Sequence, residues 1–208
     1  MNAKSLAVAA GLAMLASSAS AALVTNGGFE DVSGLADGGK NRGSYGVYNS
    51  IPGWTKSSGS GIELQDNGTL GTIDANTGNW YVELDSDENS SMYQDVTFAS
   101  AGDYVLSFFY APRTSTIGDN GITYSVAGAL SGFVDDVFPA GWREVKSVFT
   151  VASAGTLRLT FTAGGLSNSL GGFIDDVSIA PVPVPAAGLM LMGGLAGLGA
   201  FARRRRQA

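Results

Sequence analysis

The sequence predicts an all-β protein, folded as a two-sheet antiparallel jelly-roll sandwich. Three observations predict this. Between Ala22 and Ala180 the apolar residues fall in short alternating runs, with no helical stripe of useful length. Gly, Ser, Thr and Asn clusters separate the runs, and the chain carries 30 glycines. The turn signals recur about every ten residues, enough for about nine to ten strands in two packed sheets.

Taken in order, Leu23 to Thr25 is a short strand that ends in Asn26-Gly27-Gly28, where glycine suits a turn, and Phe29 then points inward. Tyr45 to Ser50 alternates as a strand, and Ile51-Pro52-Gly53-Trp54 is a turn. Lys56 to Gly61 reads as loop and Ile62 to Gln65 as a short strand. Asp66 to Asn79 has little apolar content and reads as a long lip or binding loop. Trp80 to Leu84 alternates, Asp85 to Asn89 turns, and Met92 to Phe98 alternates again. The clearest strand is Asp103 to Tyr110, with Tyr104, Leu106, Phe108 and Tyr110 on one face. Ile122 to Val126, Gly141 to Val151, Leu157 to Phe161 and Phe173 to Ile179 complete the set, with Trp142, Phe108 and Phe149 expected in the core.

Composition excludes several chemistries. The chain has no Cys and no His. The commonest general base is therefore missing, and so are the usual zinc ligands. A Ser-His-Asp or Cys-His centre is ruled out. The net charge is −6, and without Lys4 and the four tail arginines the body keeps 7 basic residues against 18 acidic ones, a net −11, so it repels nucleic-acid phosphates and attracts divalent cations. A glycoside hydrolase needs two carboxylates across a cleft. Eighteen acids supply candidates and no spacing singles out a pair, so the chain reads as a non-enzyme.

The two ends read as export signals. Met1 to Ala21 has one lysine, an apolar run from Leu6 to Ala16, and small residues before a cut between Ala21 and Ala22. The domain then spans 22–180, about 160 residues, enough for one core. The last segment, 181–208, has a Pro-rich hinge, an uncharged run from Ala186 to Ala202, and four arginines, Arg203, Arg204, Arg205 and Arg206. As a helix the run is about 25 Å long, slightly short of a hydrocarbon core. The arginines orient it with the tail on the cytoplasmic side.

Val182-Pro183-Val184-Pro185-Ala186, followed by the apolar run and the arginines, resembles the PEP-CTERM class of bacterial sorting signals. It is similar to the variant with a V-P-L-P-A hinge, with Val184 in place of Leu. The resemblance covers only the tail. It implies an inner-membrane intermediate, processing by an exosortase-type membrane protease, and delivery to the surface or matrix of a Gram-negative bacterium that makes exopolysaccharide. The alternative is a permanent C-terminal transmembrane anchor.

A second resemblance covers most of the body. Asn26-Gly27-Gly28-Phe29-Glu30 and Gly172-Phe173-Ile174-Asp175-Asp176-Val177-Ser178-Ile179 look like the two ends of galactose-binding-like β-sandwiches, which include carbohydrate-binding modules. The resemblance implies a structural Ca²⁺ shared by Glu30 and Asp176, with Asp175 as the alternative ligand. Calcium wants several hard oxygens, and an Asp within an apolar strand is costly unless paired or metal-bound. The acidic run Asp85-Ser86-Asp87-Glu88-Asn89 resembles part of a calcium loop but lacks its Gly and distal Glu, so a solvated hairpin turn is expected. Sugar sites combine flat aromatic faces with planar hydrogen-bonding groups. Trp54, Trp80 and Tyr81 are the candidate stacking residues, with Tyr48, Tyr124, Asn79, Gln65 and Arg113 as further groups of the right type. The functional expectation is an exported structural or adhesive protein associated with exopolysaccharide; the alternative is a carbohydrate-binding module or a carbohydrate-active enzyme.

Overall fold

The computed structural model describes residues 22–139 and 141–183. Within them lie twelve strands in two six-stranded sheets, with every strand pair antiparallel. One sheet runs β1(Tyr45–Tyr48), β4(Ile62–Asp66), β5(Trp80–Glu83), β12(Phe173–Pro181), β7(Gly102–Ala111), β10(Arg143–Val151). The other runs β2(Ser50–Ile51), β3(Trp54–Ser58), β6(Ser91–Phe98), β11(Gly155–Ala163), β8(Ile122–Val126), β9(Leu130–Val134). The all-β, two-sheet reading is therefore correct.

The core lies between the sheets and follows the period-2 rule. Tyr104, Leu106, Phe108 and Tyr110 of β7 face it, as do Val96 and Phe98 of β6 and Leu159 and Phe161 of β11. Phe108 meets Tyr124 and Phe161 edge-on, each at 5.0 Å between ring centres. Strand β8 has the bounds that alternation gave it.

Three local expectations fail. Leu23 to Thr25 forms no strand. Its backbone is met instead by the Gln94 side chain, which accepts from Thr25 N at 2.7 Å and donates to Thr25 O at 2.8 Å. An amide side chain has taken the place of a strand neighbour. Residues 56–58 continue β3 rather than forming loop, because they pair with β6. Strand β9 was not foreseen, since Leu130-Ser131-Gly132-Phe133-Val134 has two weak positions and is held by β8.

The turn after Thr25 is also built differently. The positive φ angles belong to Asn26 (49°) and Phe29 (59°). Gly27 is required for another reason: a Cβ there would run into the carbonyl of Val177. That close approach lets Val177 N donate to Gly27 O at 2.8 Å, joining the start of the domain to β12. Asn26 fixes the turn through its side chain, donating to Pro52 O and accepting from Asp31 N, each at 2.9 Å. Strand β12 reaches Pro181, and Val182 N donates to Asp103 O at 2.9 Å. Residues 1–21 and 184–208, which carry the expected signal peptide, Val184, Pro185, Ala186, the apolar run and Arg203 to Arg206, lie outside the described residues. Among the described residues no helix is long and apolar enough to cross a membrane.

Candidate functional site

Two of the three candidate stacking residues present no face to solvent. Trp54 is 1 % exposed, packed between Phe29 and Phe161, with its indole N–H donating to Asn26 O. Tyr81 is fully buried, its hydroxyl donating to Gln65 Oε1 at 2.9 Å and paired with Thr72 Oγ1 at 2.8 Å. Burial pushes its hydroxyl up to about 12. Both aromatics were selected by type, and period-2 alternation alone does not reveal which strand faces become covered. Trp80 is half-buried, with the Lys40 ammonium 5.7 Å from its ring centre and that lysine paired with Asp66. Tyr124 is buried against Phe108, and Tyr48 donates its hydroxyl to Ala36 O. Trp142, expected in the core, is half-buried away from it. It packs edge-on to Tyr81 at 5.9 Å and donates its indole N–H to Asp74 O at 2.7 Å.

These contacts define a second, smaller cluster on the outer face of the β1–β10 sheet: Tyr81, Ala111 and Phe173, covered by Ile73, Ala75 and Trp142. The long loop read between Asp66 and Asn79 is the cover. Beside the cluster the same sheet face is polar. Glu63 of β4 stands directly opposite Glu83 of β5. Like charges so placed repel. Gln65 relieves this by donating its Nε2 to both carboxylates, at 2.7 Å each. Glu83 is fully buried; Arg113 Nη1 reaches its Oε2 at 2.5 Å and Gly171 N its Oε1 at 2.6 Å. Burial pushes the Glu83 carboxyl up to about 8, with Arg113 pulling down and Glu63 pushing up.

Arg113 carries this network to a cavity of about 520 Å³. Leu70, Thr72, Ile73, Arg113, Thr114, Phe138, Leu170 and Phe173 line it, with Pro112 and Pro139. Its volume lies in the range of small-molecule sites, and its walls are apolar with a few placed polar groups. Four loops build it: the cover over the outer sheet face, and those after β7, β9 and β11. Of these residues only Arg113 was singled out from sequence. Phe138, 57 % exposed within Val-Phe-Pro-Ala, carried the missed signal: a solvent-facing aromatic between turn residues.

Glu30, Asp175 and Asp176 all grip one stretch, from Asn76 to Trp80. Glu30 Oε1 accepts from Asn79 N and Trp80 N, each at 2.8 Å. Asp175, fully buried, accepts from Asn76 N at 2.8 Å through Oδ2 and from Asp176 N at 2.7 Å through Oδ1. Burial raises it to about 7, with the Asp176 charge adding to the effect. Asp176 sits at a bulge in β12 with φ 50°, accepting from Thr77 Oγ1 at 2.6 Å and Asn76 Nδ2 at 2.7 Å. Among the described residues no group of three or more Asp or Glu side chains is placed to hold a metal ion; the oxygens at this point are the carboxylates of Glu30 and Asp176 and the side-chain oxygens of Asn76 and Thr77. Asp175 adds little, since backbone N–H groups already meet both of its oxygens.

No family model matches the chain. The multifunctional-autoprocessing repeats-in-toxin protein of Vibrio vulnificus is 30% identical over 119 residues, which is 56% of this chain and 2% of that protein. The chain thus matches only a small piece of that relative. Among solved structures, the carbohydrate-binding module TmCBM61, in complex with β-1,4-galactotriose, matches with a TM-score of 0.51 at 17% identity, covering 78% of this chain and all of the module. A cyclase from Fischerella sp. TAU matches with a TM-score of 0.51 at 12% identity, covering 76% and 96%. The fold is the β-sandwich of carbohydrate-binding modules, and an enzyme shares it.

Proposed function

We propose that this chain is an exported glycan-binding protein that holds its ligand without cleaving it. The observation that carries the reading is the loop-built cavity, where the exposed Phe138 offers ring surface and Arg113, Thr72 and Thr114 offer hydrogen bonds. Sugars present both an apolar face and a rim of hydroxyls, and this mixture answers both. The likeness to a module solved with a galactotriose makes β-1,4-linked galactose chains the first ligands to try. Glu83 is spent on positioning Arg113, which fits a binding role rather than acid–base work.

The test is affinity electrophoresis through gels containing β-1,4-galactan and other soluble polysaccharides, with a reducing-sugar assay alongside. Retardation without sugar release supports the reading. Release identifies a carbohydrate-active enzyme instead. No retardation on any glycan leaves the structural or adhesive role, exerted through surface proteins.

The export reading rests on the signal at 1–21 and the tail at 181–208. In it the tail is an inner-membrane intermediate, cut within Val182 to Ala186 by an exosortase-type protease, and the domain enters the exopolysaccharide layer. A structural Ca²⁺ held by Glu30 and Asp176, with Asn76 and Thr77, would fasten the cover stretch to both ends of the domain. Thermal unfolding in EGTA and in millimolar calcium tests it: a higher midpoint in calcium that Glu30→Gln abolishes supports the ion, and equal midpoints remove it.

A further inference from the structure

The turn from Asp85 to Asn89 is the solvated hairpin its composition predicts only at its tip, where Asp87 and Glu88 are exposed. Asp85 is 0 % exposed and Ser86 is buried with it. Two oxygens of this turn, Asp85 Oδ1 and Asn89 Oδ1, are buried and meet no hydrogen-bond donor. Asp85 and Asn89 form an antiparallel bridge. Directly opposed residues project their side chains to one face, with Cβ atoms about 5 Å apart. The bridge thus sets both side chains on one face of the turn.

The loop after β11 is laid against this turn. Asn168 N and Leu170 N donate to Asp85 Oδ2 at 3.0 and 3.3 Å, and Asn89 Nδ2 donates to Gly165 O at 2.8 Å. Asn89 N donates to Ser167 Oγ at 3.1 Å. A second buried carboxylate is close in the network: Asp119 accepts from Asn168 Nδ2 at 3.1 Å and from Thr114 Oγ1 at 2.9 Å. Among the described residues, none of the ion pairs includes Asp85 or Asp119. Buried carboxylates without a countercharge are costly, and an unmet acceptor beside one adds to the cost. A water molecule can donate to both orphaned oxygens, but it leaves the charge uncompensated.

We propose that the turn binds a hard, oxygen-preferring cation of the calcium class through Asp85 Oδ1 and Asn89 Oδ1. Such an ion accepts carboxylate and amide oxygens together and completes its shell with water and carbonyls. It fastens the loop that brings Leu170 to the cavity and Ser169 O to Arg113, so it fixes one wall of that cavity. The site is separate from the Glu30–Asp176 one and does not depend on what the cavity binds.

The experiment is equilibrium dialysis of the full chain against radiolabelled calcium, in a Glu30→Gln background that removes the other candidate ion. Asp85→Asn keeps the shape and gives Asn89 Oδ1 an amide donor; Asn89→Ala removes only the neutral ligand. Each variant is expected to lose one calcium equivalent. Asn89→Asp adds a ligand charge and is expected to bind calcium about tenfold more tightly. If the parent binds no calcium, or all variants bind it equally, the proposal fails and water serves the two oxygens. If Asn89→Asp lowers the melting point in calcium as much as in EGTA, it fails as well, because two opposed carboxylates with no ion between them only repel.

Discussion

Glu83 and Arg113 show how much one side-chain pair can control. Arg113→Met strips a fully buried carboxyl of its partner and is expected to destabilise by about 3–5 kcal/mol in urea midpoints read above pH 8, where Glu83 carries its charge. The pH dependence follows from the raised carboxyls. Glu83 moves from an ordinary 4.5 to about 8, and Asp175 from 3.8 to about 7. Between those limits the folded chain holds protons that the unfolded chain has released. Stability is therefore full below the ordinary values and falls as pH rises through them to the folded ones, by up to about 1.4 kcal/mol per pH unit per group. Melting temperatures should decline from pH 5 to pH 8, and Glu83→Gln should flatten the decline. Phe138 is the complementary case. Phe138→Ala removes an exposed ring, so it should leave the melting point within a degree or two, by the small effect expected of surface changes. Glycan retardation, however, should be lost.

At the scale of elements, the bulge in β12 and the cover over the outer sheet face act as one joint. Gly27 touches the bulge where no Cβ fits, and Asp175, Asp176 and Glu30 hold the cover. Gly27→Ala should break the Val177–Gly27 bond and cost about 1–3 kcal/mol through overpacking. Trp142→Phe deletes one indole N–H and should cost about 1 kcal/mol, with faster amide exchange confined to residues 67–79. Strand β7 was legible because alternation ran through all its core-facing positions. Strand β9 was not, because Ser131 and Gly132 carry no pattern and only pairing with β8 makes them extended.

For the whole molecule, the export reading makes a prediction independent of the sandwich. The protein recovered from the host's surface fraction should have an intact mass beginning at Ala22 and ending within Val182 to Ala186. A mass running through Arg206 would make the tail a permanent anchor. The sandwich reaches Val182 through its bond to Asp103, so a cut beyond that residue leaves β12 whole.

The sequence alone determined the class of fold, because side-chain alternation and turn chemistry are local properties that survive without knowledge of neighbours. It also excluded histidine- and cysteine-based chemistry, since absence from the chain is absolute. Only the tertiary structure decided which aromatics are available. Trp54 is buried in the core against Phe29 and Phe161, Tyr81 is covered by a loop, and Trp142 sits outside the core. It alone brought Arg113, Phe138 and Leu170 to one cavity from three separate loops. It also buried Asp85 and Ser86 at one end of an apparently solvated acidic turn, because burial depends on what packs over a residue.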